Sequence, residues 1–128
     1  MAGERILVVE DNATNMKLFR DVLQAKGYRT IEATTGSEAI ALAVEHVPAL
    51  VLMDIQLPDI SGITALRQLR ADPLTRAIPV VAVSASAMQE EQEKITASGF
   101  DGYIMKPIDL KSFLEQVQRY AEPSPGVS

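Results

Sequence analysis

The chain has 128 residues, 47% of them hydrophobic and 23% charged, with a formal net charge of −5 and no cysteine. This suits one soluble globular domain with a substantial core rather than a disordered chain. It disfavours a nucleic-acid-binding surface, removes disulfide, thiolate and cysteine–zinc chemistry, and leaves no apolar run near the ~20 residues of a membrane span. Met1-Ala2-Gly3-Glu4-Arg5 has no signal-peptide pattern, so the cytoplasm is the expected compartment.

In chain order, Ile6-Leu7-Val8-Val9 reads as a buried strand ending in Glu10-Asp11-Asn12. A helix is expected from Ala13 to Lys26, with Phe19, Val22 and Leu23 on one face and Gly27 as its stop. Arg29 to Ala33 is a weaker strand, nearer an edge. Thr35 and Glu38 resemble a capping box. The helix they open turns Ile40, Ala43, Val44 and Val47 inward and ends before Pro48. Leu50-Val51-Leu52-Met53 is an unbroken apolar run that ends on Asp54, and Pro58 and Gly62 then turn the chain. Ser61 is a candidate cap for a helix carrying Ile63, Leu66 and Leu69, stopped by Asp72-Pro73. Ile78 to Val83 forms a fourth strand ending at Ser84. A helix from Ser86 to Ser98 is acidic outside, with Gly99 behind it, and Gly102 to Met105 makes a short fifth strand before Lys106-Pro107. Asp109 caps a last helix lined by Leu110, Phe113, Leu114 and Val117. The domain spans residues 1–121, and residues 122–128 read as a disordered tail.

Five strand–helix alternations imply an α/β fold with one parallel sheet and helices on both faces. All strand C-termini then share one edge, where ligands bind at the reversal of strand order. Glu10, Asp11, Asp54, Ser84 and Lys106 lie there. A buried unpaired carboxylate is costly, so Asp54 belongs at the mouth of the sheet. Three gathered carboxylates repel one another and call for a cation, and hard oxygen donors with room for water suit Mg²⁺. Asp11 and Asp54 are expected to bind it directly, with a backbone carbonyl near Gln56, and Glu10 through a water. A carboxylate beside Mg²⁺ suits phosphoryl transfer through an acyl phosphate, with Lys106 and Ser84 each meeting a phosphoryl oxygen. No side chain looks like a strong general base, which argues against a fast hydrolase.

Glu10-Asp11-Asn12, Met53 to Pro58 with Gly62, Val83-Ser84-Ala85, and Tyr103 with Lys106-Pro107 together resemble the signature of response-regulator receiver domains, in the family's order from Arg5 to Tyr120. The finer pattern, Asp11-Asn12 with Asn15 and Ser84 to Met88, resembles DivK-type single-domain regulators and the receivers of hybrid kinases. The resemblance implies the CheY-like, flavodoxin-like strand order 2-1-3-4-5. It implies Asp54 as phosphoacceptor, Glu10 and Asp11 as the Mg²⁺ pair with the Gln56 carbonyl, Ser84 as switch hydroxyl, Tyr103 as switch aromatic, Lys106 as phosphate anchor and a cis bond before Pro107. It implies a signalling switch rather than an enzyme. The donor would be a histidine kinase or a histidine phosphotransfer protein. A downstream protein would bind the face formed by Ser86–Ser98, Tyr103 and Asp109–Tyr120, with no nucleic acid or membrane as partner, and the chain would be a monomer or weak dimer. Ser84 stands where Thr is commoner, and Glu10 where Asp is common.

Each residue also has a plainer reading: Asp54 as a turn cap, Glu10-Asp11 as an ordinary polar loop, Lys106 as a solvated lysine, Tyr103 as half-buried packing, His46 as an exposed helix end. Their joint placement at one sheet edge weighs against these. Two other classes fit the sequence less well. Haloacid-dehalogenase-type phosphatases need an acid two residues after the nucleophile, where Gln56 stands. A flavodoxin-like cofactor module needs a hydroxyl- and glycine-rich loop where Glu10-Asp11 stand.

Overall fold

In the computed structural model, residues 3–85 and 88–122 are described. The elements alternate without exception: β1 (Arg5–Val9), α1 (Ala13–Ala25), β2 (Arg29–Ala33), α2 (Gly36–His46), β3 (Leu50–Asp54), α3 (Gly62–Ala71), β4 (Val80–Ser84), α4 (Gln89–Ala97), β5 (Gly102–Met105) and α5 (Leu110–Ala121). The strands form one sheet in the order β2-β1-β3-β4-β5, all pairs parallel. This is the α/β doubly wound architecture expected from the alternation.

The apolar runs become strands because helices cover both faces of the sheet. Every residue of β3 and β4 is buried. Side chains alternate between two cores, as the strand period of two requires. Leu7, Val9, Val51, Met53, Val80 and Ala82 face one core with residues of α2, α3 and α4. Ile6, Val8, Leu50, Leu52, Val81 and Val83 face the other with residues of α1 and α5. There Phe19 of α1 and Phe113 of α5 stack with ring centroids 5.4 Å apart. Burial of two such rings contributes several kcal/mol and fixes α1 against α5.

Local sequence sets the helix starts. Thr35 accepts the Glu38 N–H at α2 and Ser61 the Thr64 N–H at α3. Gly27, with φ 93°, follows α1. Three expectations change, at Val47, Leu110 and Asp109. Val47 is exposed rather than inward: it is the left-handed C-cap of α2 (φ 44°), just ahead of Pro48, where the helix cannot continue. Leu110 is 47% exposed, because the buried stripe of α5 runs through Phe113, Val117 and Ala121 and begins a turn later. α5 ends at Ala121, and Glu122 is its C-cap. It caps the helix through its N–H to the Gln118 carbonyl, and its carboxylate accepts the Tyr28 hydroxyl hydrogen. At the start of α5, the Asp109 carboxylate makes no cap bond to the backbone and instead accepts from Ser112 Oγ at 2.8 Å. The expected helix start at Ser86 and the segment 123–128 fall outside the described residues.

Candidate functional site

Parallel register builds the site. Val9 pairs with Met53 and Asp54 with Val83. Glu10, one residue past Val9, therefore stands beside Asp54, one residue past Met53. On the other side, Ser84 pairs with Met105, and the Lys106 N–H donates to the Ser84 carbonyl at 2.8 Å. Glu10 is itself held in sheet-like continuation by its N–H to Ala33 O at 3.0 Å. Asp11 leaves the sheet and is exposed.

The carboxylates of Glu10, Asp11 and Asp54 each offer an oxygen within 4.8 Å of the others. Into this anionic cup reaches Lys106, its Nζ 3.1 Å from Asp54 Oδ2 and 3.1 Å from Glu10 Oε1. The remaining acceptors are served by backbone. The Gln56 N–H donates to Asp54 Oδ1 at 2.9 Å and the Asn12 N–H to Glu10 Oε2 at 3.2 Å. Glu10 Oε1 is fully buried and makes an ion pair with Lys106 but no directed hydrogen bond. Burial raises the Glu10 carboxyl above its ordinary range, Asp54 pushes it further, and Lys106 and the Asn12 N–H pull it back. Burial works to lower the Lys106 ammonium, but the pairing with Glu10 and Asp54 outweighs it and leaves the group raised.

The sequence matches the response regulator receiver domain family over residues 6–118. The chain belongs to that family. It is 49% identical over 115 residues to the polar-differentiation response regulator DivK of Brucella ovis, covering 90% of this chain and 94% of that one. A receiver domain of a Pseudomonas aeruginosa sensor histidine kinase, solved with a magnesium ion coordinated in its active site cleft, is 32% identical. It superposes with a TM-score of 0.87 over 94% of this chain and 98% of that chain. The Vibrio cholerae chemotaxis protein CheY4 shares the fold at 24% identity, with a TM-score of 0.86 over 93% and 99% of the two chains. The chain is thus a two-component response regulator, a signalling switch, and no helix among its described residues is long and apolar enough to cross a membrane.

Within this receiver domain, the structure brings Glu10, Asp11, Asp54 and Lys106 into one constellation, and Gln56 joins it through its backbone. Ser84 is buried at the end of β4 on the same edge. Tyr103 is half-buried in β5, its side chain against the core that α2, α3 and α4 share and its carbonyl accepting from Gln116 Nε2 at 2.9 Å. The Lys106–Pro107 bond is cis. Two contributors escaped the sequence reading. Asn12 was noted only as part of a motif, yet its N–H serves Glu10 and its side chain caps α1 at the Asn15 N–H. A polar residue just ahead of an apolar-periodic helix was the available signal. Gly62 was read as a turn residue, but it also lets α3 start against β3. A Cβ there would lie 2.6 Å from the Asp54 carbonyl oxygen and 2.9 Å from Ile55 Cα.

Proposed function

We propose that Asp54 accepts a phosphoryl group from a phosphohistidine of a histidine kinase or histidine phosphotransfer protein, in a Mg²⁺-dependent reaction, and that the acyl phosphate changes which proteins the chain binds. The observation that carries this reading is the gathering of three carboxylates and the Lys106 ammonium at one sheet edge.

Glu10, Asp11 and Asp54, with the Gln56 carbonyl, would hold the cation. The donor set fits it: every donor is a hard oxygen, exposed Asp11 leaves room for water, and buried Glu10 Oε1 has unused acceptor capacity. Bound Mg²⁺ supplies neutralisation of the phosphoryl oxygens next to the anionic cup. An Asp54 oxygen attacks phosphorus as the donor's P–N bond breaks, and that electron pair returns to the donor imidazole. Lys106 pairs with one phosphoryl oxygen in place of its contact with Asp54, and the Ser84 hydroxyl donates to another. Among the described residues no side chain stands as a general base for water, so the phosphoryl group is released slowly and the chain turns over nothing but its own phosphate.

The added charge favours the arrangement in which Ser84 and Lys106 close on the phosphoryl group, and Tyr103 transmits the change by turning inward. The readout face comprises α4, β5 and α5. The chain works in the cytoplasm, as a monomer or weak dimer. Incubation with radiolabelled acetyl phosphate tests the core of this reading. Label is expected on the unmodified chain with Mg²⁺ and neither on Asp54→Asn nor in excess chelator. Full labelling of Asp54→Asn would refute the assignment.

A further inference from the structure

The loop after β3 carries Gln56, and its far half is tied to a different part of the molecule. Asp59 reaches across to the first turn of α2. Its Oδ1 accepts the Gly36 N–H at 2.8 Å and its Oδ2 the Ser37 N–H at 3.0 Å. These are the first two amides of a helix whose third, that of Glu38, goes to Thr35 Oγ1 at 3.1 Å. Three of the four orphan amides at the start of α2 are thus satisfied, two of them by a residue more than twenty positions away. Placed there, a carboxylate also meets the positive end of the helix dipole, and its two N–H contacts hold it well below the usual carboxylate range. The fit is close on the helix side as well. A Cβ on Gly36 would lie 2.4 Å from Ile60 Cγ1.

Elsewhere Leu57 and Ile60 pack against the core, and the loop's remaining hydrogen bonds lie at its ends. Ile55 N–H donates to Val83 O, the Gln56 N–H to Asp54, and the Gly62 N–H to Ile55 O. Between Gln56 and Ser61, among the described residues, the Asp59 carboxylate is the one hydrogen-bonded tie to another element. A backbone carbonyl serves as a cation ligand only when the loop holds it in place beforehand.

We propose that Asp59 is a positioning residue for phosphotransfer: by fastening the Gln56–Ile60 loop to the start of α2, it holds the Gln56 carbonyl ready for Mg²⁺ and couples the cation site to α2. This rests on the reading of Glu10, Asp11, Asp54 and Gln56 as the cation site. Coupling is reciprocal, so an occupied site must in turn steady the first turn of α2.

The test uses the full chain and two readouts. The first is Mg²⁺ affinity, from amide chemical-shift titration. The second is hydrogen exchange at the Gly36 and Ser37 amides with and without Mg²⁺. Asp59→Ala removes the tie, and Gly36→Ala crowds it from the helix side through Ile60. Thr35→Ala weakens the same helix start without touching the loop. For the unmodified chain and Thr35→Ala, Mg²⁺ slows exchange at Gly36 and Ser37. For Asp59→Ala and Gly36→Ala, Mg²⁺ affinity falls about three- to tenfold, with about 0.7–1.4 kcal/mol of binding lost, and the slowing disappears. Asp59→Asn, which keeps one acceptor and folds if the others do not, falls between. Unchanged affinity in folded Asp59→Ala or Asp59→Asn, or Mg²⁺-dependent slowing that survives in either, would overturn the proposal and leave the cation site standing. An unmodified chain that binds no Mg²⁺ would overturn both.

Discussion

Lys106→Met is the most informative change, because it removes one positive charge from between two carboxylates while keeping the aliphatic stem. At 3.1 Å each, the two contacts have a gross attraction of about 5 kcal/mol apiece at an effective dielectric of 20. Desolvation of the ammonium and of Glu10 offsets much of that. Severing a buried pair costs about 3–5 kcal/mol net, because the partner charge is stranded. With 19% of the Lys106 side chain still in water, solvent screens part of the loss, and we expect about 2–3 kcal/mol. The assay is urea denaturation followed by circular dichroism, at neutral pH in chelator.

The pH dependence supplies an internal check. The Glu10 carboxyl is already raised by burial and by Asp54, so the folded state holds its proton more tightly than the unfolded chain does. The cost of charging it is fully present above the folded value and disappears below the unfolded one. Removing Lys106 raises the folded value further. The gap between Lys106→Met and the parent should therefore narrow as the pH is lowered from neutral into the mildly acid range. The variant should also bind Mg²⁺ more tightly, by roughly tenfold, because a competing cation has left the cup. Parent-like stability in chelator at neutral pH would refute the argument, and so would a gap that widens in acid.

Phe113→Ala removes a fully buried ring stacked on Phe19 and should cost about 3–5 kcal/mol in urea titration, without preventing labelling of the folded fraction. Gly62→Ala places a methyl against the Asp54 carbonyl and Ile55 Cα, backbone atoms that cannot swing aside. It should cost about 1–3 kcal/mol and slow acetyl-phosphate labelling, whereas Ala at exposed Gln68 should do neither. Asp59, held low by the Gly36 and Ser37 N–H groups, stabilises the fold above its ordinary value of 3.8 and progressively less as pH falls below it. Asp59→Asn should therefore be less stable than the parent at neutral pH by an amount that shrinks in strong acid, measured by urea midpoints. An equal deficit at both pH values would remove the charge from the explanation.

The fold was legible wherever one local pattern had one structural outcome. The apolar runs at Ile6–Val9, Leu50–Met53 and Val80–Val83 have no polar face, and a short run of that kind fits a strand covered on both sides. Caps at Thr35 and Ser61 could be read because the donor and acceptor lie three residues apart. The site was legible for a topological reason: parallel strands place their last residues on one edge, whatever the loops do. What escaped was contact between distant segments. No local period points from Asp59 to Gly36, or from Arg70 to the Ile78 carbonyl and the Asp101 carboxylate, which its guanidinium joins at 2.6 and 2.8 Å. Val47 escaped for a different reason. Its apolar character suggested burial, but it stands at the helix end just ahead of Pro48, with a left-handed backbone and an outward side chain.

These two kinds of information meet in the electrostatics of the site. Three carboxylates and one ammonium leave the cup with an excess of two negative charges if all are ionised, and Glu10 is almost wholly out of water. Such a cluster is a stability cost that the surrounding core must carry. Glu10 follows a strand whose Ile6, Leu7, Val8 and Val9 are fully buried, and Asp54 ends one buried along its whole length. The cost is thus carried beside two of the most deeply buried strands of the sheet. A divalent cation that binds only the folded chain returns stability by mass action, about 2.7 kcal/mol at a hundred times its dissociation constant. On the proposed function, phosphorylation of Asp54 would add charge to the same place. The cation and Lys106 would then have a stronger reason to hold one arrangement of the Ser84–Tyr103 side of the sheet. On this view the unphosphorylated cup is deliberately left under-neutralised. A variant that permanently removes one of those charges, such as Glu10→Gln, should be more stable than the parent in chelator, yet gain less from Mg²⁺ and transfer phosphate more slowly. Thermal denaturation with and without Mg²⁺ measures both terms, and a Glu10→Gln chain that gains as much from Mg²⁺ as the parent would break the link between charge excess and function.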